Sequence, residues 1–238
     1  MTTTPDGDPI PEPQAMAGLI DHTVLKPETD ETTVRRVVAE AREQSFAAVC
    51  VNPRWVPLVV AGLAGTSVKT CTVVGFPLGA STTASKVAET QEAVHAGAQE
   101  IDMVVDIADA NAGHADAVQT QIRAVAEAAH AGGATLKVIL ETALLSADAK
   151  SLVCRAAESA GADFVKTSTG FAGGGATVED IAAMHQMVGG RLGIKASGGV
   201  RTYDDAVAMV AAGATRIGAS SSLDIVGASD STSTRETT

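Results

Sequence analysis

The chain has 238 residues, 45% of them hydrophobic, and a formal net charge of −11 from 28 acidic and 17 basic residues. This balance argues against a broad nucleic-acid surface or an anionic-membrane face, because both need clustered Lys and Arg. No apolar stretch reaches the roughly 18 residues of a membrane span, and no secretory signal is evident. We therefore expect a soluble, cytoplasmic protein without a nucleic-acid or membrane partner.

In chain order, the sequence consists of two polar ends and one long central region. Residues 1–14 are rich in Pro and residues 227–238 have almost nothing to bury, so we predict a flexible tail at each end. Residues 15–226 are predicted to form one domain, in which short apolar runs alternate with Ala-rich helical stretches. The eight predicted strands are 18–23, 47–51, 68–74, 100–105, 135–140, 163–166, 192–196 and 216–219.

Local sequence also marks several helix boundaries. Asp30, Ser146 and Thr177 stand where a helix N-cap is expected. Ala-Gly-Ala or Ala-Gly-Gly ends a helical stretch just before a strand at 96–98, 131–133, 160–162 and 212–214. Glycine just past a helix end adopts the left-handed conformation that stops the helix.

Eight strand–helix units predict the α/β class and a single-domain (β/α)8 (TIM) barrel, with functional residues at the C-terminal strand ends. The alternative is an open doubly wound sheet, which would lead us to expect a glycine-rich phosphate loop after the first strand. The segment that follows, 21–27, contains no glycine. The barrel is therefore favoured.

Three of the seven lysines, Lys137, Lys166 and Lys195, interrupt apolar strand-like runs. Lys166 and Lys195 fall at the predicted ends of neighbouring strands, so their ammonium groups should be close. Burial and a second cation each lower a lysine pKa, and a neutral amine is a nucleophile. This pattern predicts Schiff-base chemistry on a carbonyl substrate. The alternative is that one or both lysines point outward or pair with a carboxylate in the helix layer.

Two aspartates occupy similar positions inside strands. Asp102 lies in the fourth strand and Asp21 in the first, where each could supply a counter-charge or exchange a proton. Lys137 on the fifth strand could complete the polar interior with Asp102. For Asp21 and Lys137, a purely structural ion pair is an equally good interpretation.

The loops after the seventh and eighth strands carry a second signal. Loops in these positions often bind phosphate through backbone N–H groups and a short extra helix, predicted here at 220–226. A Gly-Gly turn alone is more often plain turn chemistry, but the two loops together favour a phosphate site. Gly170, after the sixth strand, is a further phosphate-binding candidate. The candidates are Gly170, Gly198, Gly199, Gly218, Ser220 and Ser221.

Other kinds of site have little support. Cys50, Cys71 and Cys154 are widely spaced, and we expect reduced core residues. The five histidines are scattered, so we expect no metal site and no cofactor. Asp21 and His22 could be half of a hydrolase triad, but no serine lies in a Gly-x-Ser-x-Gly turn.

Five segments together resemble the strand motifs of the deoxyribose-phosphate aldolase family, which are class I aldolases. They are Glu-Ile-Asp-Met-Val-Val at 100–105, Leu-Lys-Val-Ile-Leu-Glu-Thr at 136–142, Ala-Asp-Phe-Val-Lys-Thr-Ser-Thr-Gly at 162–170, Ile-Lys-Ala-Ser-Gly-Gly-Val-Arg at 194–201 and Arg-Ile-Gly-Ala-Ser-Ser at 216–221. The resemblance extends over about residues 19–226.

The resemblance implies reversible cleavage of 2-deoxy-D-ribose 5-phosphate to D-glyceraldehyde 3-phosphate and acetaldehyde, with small phosphosugars and aldehydes as binding partners and a homodimer as a common assembly. By position, Lys166 matches the Schiff-base lysine, Lys195 the second lysine and Asp102 the proton-relay carboxylate. The predicted phosphate-binding Gly and Ser residues after strands seven and eight match the family's phosphate site.

The chain departs from the pattern at two places. Phe171 stands where some members carry a phosphate-reaching lysine, and the C-terminal tail lacks the tyrosine that some members use in proton transfer. Two other functions stay open: another Schiff-base phosphosugar aldolase or transaldolase, and a non-catalytic barrel that binds a phosphometabolite.

Overall fold

A computed structural model describes residues 3–228, in which eight parallel strands form a closed barrel. Each strand pairs with the next in sequence, and β8 pairs with β1. The predicted TIM barrel is confirmed, and the open-sheet alternative is wrong. The strands are β1 Ile20–Val24, β2 Ala48–Val51, β3 Lys69–Val74, β4 Glu100–Val104, β5 Thr135–Ile139, β6 Phe164–Lys166, β7 Gly193–Ser197 and β8 Arg216–Ala219.

Helices connect the strands and cover the outside of the barrel. Asp30, Ser146 and Thr177 cap α2, α7 and α8, each accepting a hydrogen bond from a backbone N–H three residues on, as their sequence positions predict. The helices are α1 Pro13–Met16, α2 Glu31–Gln44, α3 Val56–Leu63, α4 Thr83–His95, α5 Ile107–Asn111, α6 Ala115–Ala131, α7 Ala147–Ser159, α8 Val178–Val188, α9 Tyr203–Ala211 and α10 Ser222–Ile225.

The strand boundaries differ from the predicted ones by no more than two residues. β1 begins at Ile20 rather than residue 18 because Ala17–Leu19 forms a 3-10 turn. β7 extends to Ser197 because this residue pairs with Gly218 of β8. Strand ends in a barrel follow the register of the neighbouring strands, which a single strand's sequence does not contain.

Alternation along the strands separates two buried regions. In β4, Ile101 and Met103 belong to the large apolar core between barrel and helices, while Glu100 and Asp102 face the interior. The interior is apolar on the side of β2 and β3 and charged on the opposite side. Its apolar cluster consists of Leu25, Ala48, Cys50, Cys71 and Val73.

The N-terminal segment contacts the barrel at α9. Thr3 and Pro9 form an isolated antiparallel bridge, and the Tyr203 hydroxyl donates a hydrogen bond to the Pro11 carbonyl at 2.9 Å. The domain boundaries at 14 and 226 stay a prediction, and most of the predicted C-terminal tail, residues 229–238, lies outside the described residues. Between residues 3 and 228, no helix has the length and apolar character needed to cross a bilayer.

Candidate active site

Lys166 and Lys195 lie side by side inside the barrel, directly opposite each other in the β6–β7 register. Both side chains are buried, and each Nζ donates a hydrogen bond to the same atom, Oδ2 of Asp102, at 2.7 Å. The two amines therefore share one carboxylate oxygen. The two lysines and Asp102 thus lie close together, as the sequence predicted.

Lys137 occupies the other side of Asp102. Its Nζ lies 2.9 Å from Asp102 Oδ1, since the two residues are opposite each other in the β4–β5 register. It also donates to Glu100 at 2.5 Å and lies 3.4 Å from the Cys71 sulfur. Lys137 thus forms the polar interior with Asp102, as the sequence suggested, and fixes the carboxylate plane that the other two lysines contact.

Asp21 connects the first strand of the barrel to its last two strands. Its Oδ2 accepts a hydrogen bond from Lys195, and its Oδ1 accepts one from Arg216 at 2.7 Å. Arg216 also contacts Glu100 at 3.2 Å. Sequence reasoning missed Glu100 and Arg216 in this network. Two signals were available: Glu100 stands two residues before Asp102, and therefore on the same strand face, and Arg216 begins a strand.

Two carboxylates in this network, Asp102 and Asp21, stay ionised. Burial would raise the pKa of Asp102, but the charges of Lys137, Lys166 and Lys195 outweigh it and hold the pKa well below its usual range. The pKa of Asp21 is likewise lowered, because Lys195, Lys137 and Arg216 outweigh its burial. Both residues therefore act as anions at neutral pH.

One sequence-based expectation is wrong. We expected the two neighbouring lysines to lower each other's pKa, but the pKa of Lys195 is raised. Burial lowers it, yet the attraction of Asp102 and Asp21 is larger. At neutral pH the resting enzyme therefore has a protonated Lys195, which places a positive charge next to Lys166.

The charge count of the network singles out Lys166. Four basic groups (Lys137, Lys166, Lys195, Arg216) face three acidic ones (Asp21, Glu100, Asp102). Lys166 contacts one of these carboxylates, whereas Lys195 contacts two. Asp102 keeps its contacts with Lys137 and Lys195 when Lys166 turns to another partner, so no buried carboxylate is then left unpaired.

A cavity opens above Lys166 at the C-terminal end of the barrel. It is lined by Lys166 and by five of the six predicted phosphate-binding residues: Gly170, Gly198, Gly199, Gly218 and Ser220. Ser221 lines an adjoining cavity that shares Ser220, and the predicted short helix follows as α10. Lys26 and Arg201 add positive charge to the cavity wall.

The Gly198–Gly199 turn has a backbone that favours glycine. Their φ angles are 84° and 85°, in the left-handed region that L-residues with a side chain rarely adopt. The turn is held by Ala176, whose N–H donates to the carbonyls of Ser197 and Gly198 at 3.0 and 2.9 Å. Within residues 3–228, the two glycine N–H groups donate no hydrogen bond, so they are available to an anion.

Two further residues support the Lys-Thr-Ser-Thr-Gly segment and were missed. Glu141 is buried with a φ of 57°, and its carboxylate accepts hydrogen bonds from the N–H and hydroxyl of Thr169. The Thr167 hydroxyl bridges the N–H and carbonyl of Ser197, each at 3.1 Å. Long-range contacts of this kind have no local sequence signal.

His22 faces away from the barrel interior and does not pair with Asp21. Its ring lies 2.7 Å from Glu40 on α2 and 2.8 Å from Ser222 on α10.

All three cysteines are buried and free, as expected. Among residues 3–228, two groups of acidic and thiol side chains are close enough together to bind a metal ion, and they contain Asp102 and Asp21, respectively. Lysine or arginine nitrogens already contact both of these carboxylates. These carboxylates and thiols therefore suit ammonium and guanidinium partners better than a metal ion.

Comparisons with known proteins agree with this geometry. A family model described as DeoC/LacD family aldolase matches residues 15–227. A deoxyribose-phosphate aldolase of Micrococcus luteus is 59% identical over 218 residues, covering 89% of this chain and 95% of that protein. One from Bacillus subtilis is 54% identical, covering 89% and 95%.

Solved structures give the same result. The tetrameric deoxyribose phosphate aldolase of Aeropyrum pernix superposes with a TM-score of 0.86 at 34% identity and covers 93% of both chains. The resemblance noted from the strand motifs is thus confirmed over most of the sequence. The chain belongs to the DeoC/LacD family of aldolases.

Proposed function

We propose that this enzyme is a lyase that reversibly cleaves 2-deoxy-D-ribose 5-phosphate to D-glyceraldehyde 3-phosphate and acetaldehyde. The observation that carries the proposal is one cavity that joins Lys166 to the Gly198–Gly199 turn. At one end of this cavity, Lys166 offers an amine beside a positive charge and a carboxylate. At the other end, the Gly198–Gly199 turn offers N–H groups to an anion. An aldehyde at one end of the substrate and a phosphate at the other match these two ends.

In the first step, the neutral amine of Lys166 attacks C1 of the open-chain sugar. Lys195 is a charged acid beside this amine, so it can donate the proton with which the carbinolamine oxygen leaves as water. The product is a protonated imine between Lys166 and C1.

Cleavage then moves one proton from oxygen to carbon. Asp102, through a water, accepts the proton of the 3-hydroxyl group while the C2–C3 bond breaks and its electrons enter the imine. Glyceraldehyde 3-phosphate leaves, and an enamine remains on Lys166. Asp102 returns this proton to C2. Water then hydrolyses the protonated imine to acetaldehyde and free amine, and the proton released in this step restores Lys195.

The phosphate group needs local positive charge because the chain as a whole is strongly acidic. We assign this charge to Lys26 and Arg201, which line the cavity together with the glycine turns. Phe171 does not contribute charge. Its ring is half exposed and stacks edge-on against Phe76, with the ring centroids 5.3 Å apart.

The test is to trap the imine. Incubation with acetaldehyde and borohydride should leave an ethyl group on Lys166, located by peptide mass spectrometry. The exposed Lys69, at the other end of the barrel, provides the matched control, since Lys69→Met should retain the label and Lys166→Met should lose it. A label on Lys195 or no label at all would overturn the assignment.

Two alternatives are separated by product analysis. Comparison of deoxyribose 5-phosphate with ribose 5-phosphate and fructose phosphates distinguishes this activity from that of another Schiff-base aldolase or transaldolase. A non-catalytic phosphometabolite-binding barrel would form the adduct without releasing aldehyde.

We also propose a homodimer in the cytoplasm. The dimer rests on the family resemblance, and light scattering of the purified chain tests it, since the related Aeropyrum pernix enzyme is described as tetrameric. Three free, buried thiols support a reducing compartment. Fractionation of the source cells checks the location.

A further inference from the structure

Ser197 is the last residue of β7 and stands two positions after Lys195. Since side chains alternate along a strand, both face the barrel interior. Ser197 lines the cavity above Lys166, and only 6% of its surface is exposed. Ser197 therefore forms part of the wall of the proposed substrate site, and its hydroxyl oxygen lies just beneath that wall, towards Gly218.

The hydroxyl of Ser197 has no hydrogen-bond partner within residues 3–228, although its oxygen is buried. Two other hydroxyls on the same cavity wall are already engaged. Thr23 donates to the Asp21 carbonyl at 2.8 Å, and Thr169 donates to Glu141. A buried hydroxyl without a partner destabilises the folded state, so its position calls for an explanation outside stability.

Two neighbours keep Ser197 in this position. Thr167 holds both its backbone N–H and its carbonyl. Gly218 is opposite Ser197 in the β7–β8 register, and a β-carbon at Gly218 would clash with the Ser197 oxygen. The glycine thus leaves room for a hydroxyl to which none of residues 3–228 forms a hydrogen bond.

The position of Ser197 along the cavity indicates what it contacts. It lies between Lys195, beside the imine-forming amine, and the Gly198–Gly199 turn at the phosphate end. We propose that the Ser197 hydroxyl binds the 4-hydroxyl group of the open-chain sugar, which becomes the 2-hydroxyl group of glyceraldehyde 3-phosphate. Ser197 is then a specificity residue for hydroxylated acceptor aldehydes. This inference rests on the proposed function, because it assumes a phosphosugar in the cavity.

The experiment compares wild type, Ser197→Ala and Ser81→Ala. Among the residues that the structure describes, Ser81 also has a buried hydroxyl without a partner, but it does not line the cavity, so Ser81→Ala is the matched control. Three reactions are measured with each variant: addition of acetaldehyde to glyceraldehyde 3-phosphate, addition of acetaldehyde to propanal, and deuterium exchange at the methyl group of acetaldehyde. Thermal unfolding of each variant reports stability.

We expect Ser197→Ala to lower kcat/KM for glyceraldehyde 3-phosphate by about tenfold, the order of one lost hydrogen bond. Propanal addition and deuterium exchange should stay at wild-type rates, since neither involves a 2-hydroxyl group. The melting temperature should not fall. The Ser81 variant should match wild type throughout.

Two results would overturn the inference. Equal rates for glyceraldehyde 3-phosphate in wild type and Ser197→Ala would mean that the hydroxyl contacts no substrate group. An equal loss in all three reactions would mean that Ser197 acts on Lys166 instead. Failure of the proposed function has a different signature, because wild type itself would then form no deoxyribose 5-phosphate.

Discussion

At the scale of single residues, the roles that we propose for Lys166 and Lys195 follow from how many carboxylates each contacts. Lys195 is held by Asp21 and Asp102, and its raised pKa keeps it charged. Lys166 shares Asp102 with two other lysines and faces the cavity. Two identical side chains on neighbouring strands thus acquire different roles from their surroundings.

Substitution of Lys166 should remove activity and leave the fold intact. In Lys166→Met, Asp102 still contacts Lys137 and Lys195, so no carboxylate is left unpaired. We expect cleavage of deoxyribose 5-phosphate to fall by about 10³-fold or more, because the nucleophile is lost. Aldehyde release and thermal melting are measured on the same sample. Activity within tenfold of wild type would contradict the assignment of the nucleophile.

At the scale of elements, the loops at the C-terminal ends of the strands hold the site together. The β6 loop is fixed by Glu141 of the β5 loop and contacts the β7 turn through Ala176. Each loop is therefore positioned by its neighbours in the barrel, and a substitution in one loop affects a defined part of the substrate.

Gly199→Ala tests the phosphate turn. A β-carbon at Gly199 has open space around it, so its cost comes from the φ of 85° rather than from a clash. We expect the strained turn to relax in the free enzyme, so that phosphate binding has to restore it. At roughly 1–2 kcal/mol of backbone strain, KM for deoxyribose 5-phosphate should rise about tenfold. Turnover of unphosphorylated deoxyribose should not change. A parallel loss on both sugars would place Gly199 outside the phosphate site.

A second element depends on Lys86 of α4, which is fully buried. Its Nζ donates to the carbonyls of Gly79 and Val104 at 2.7 Å and to Gln121 at 2.8 Å. It therefore links the loop after β3 to the end of β4. Burial lowers its pKa from 10.5 to about 8. The folded protein consequently releases this proton at a lower pH than the unfolded chain.

This pKa predicts a pH dependence of stability. Between pH 8 and 10.5 the unfolded chain binds more protons at Lys86 than the folded protein does, so the free energy of unfolding should rise with pH. Urea unfolding measures the slope. In Lys86→Met the rise should be smaller, while Lys69→Met, at an exposed strand end, should retain it. Identical slopes in wild type and Lys86→Met would disprove the lowered pKa.

At the scale of the whole molecule, the barrel is closed by the β1–β8 pairing, and Asp21 is the charge at this junction. It joins β1 to β7 through Lys195 and to β8 through Arg216. The two contacts span 174 and 195 residues of sequence. The ion pairs at the centre of the site therefore also fix the closure of the fold.

Asp21→Asn should weaken the fold as well as the activity. Removal of the charge leaves Lys195 and Arg216 undercompensated, which should cost about 3 kcal/mol near pH 7. The lowered pKa of Asp21 means that its stabilisation is present above pH 3.8 and is lost as the pH falls further. Urea unfolding from pH 7 to 3 should thus show a smaller acid-induced loss in the variant. Equal stability of both proteins at pH 7 would refute this role.

The sequence by itself determined the architecture and pointed to the main residues that we propose for the site. Helix caps such as Asp30 and the alternation around Asp102 are local patterns, because capping and strand pleat depend on neighbouring residues. The lysines in apolar strands were visible for the same reason. The motifs around them were sufficient to indicate the aldolase family.

Only the tertiary structure decided which charges meet. Arg216 and Glu100 joined the network through their contact with each other and with Asp21 and Lys137. The pKa of Lys195 rose rather than fell because Asp102 and Asp21 contact it from 93 and 174 residues away in the sequence. The free hydroxyl of Ser197 likewise became visible only beside Gly218. Electrostatic and steric effects depend on distance in space, and barrel closure sets those distances between residues that the sequence keeps apart.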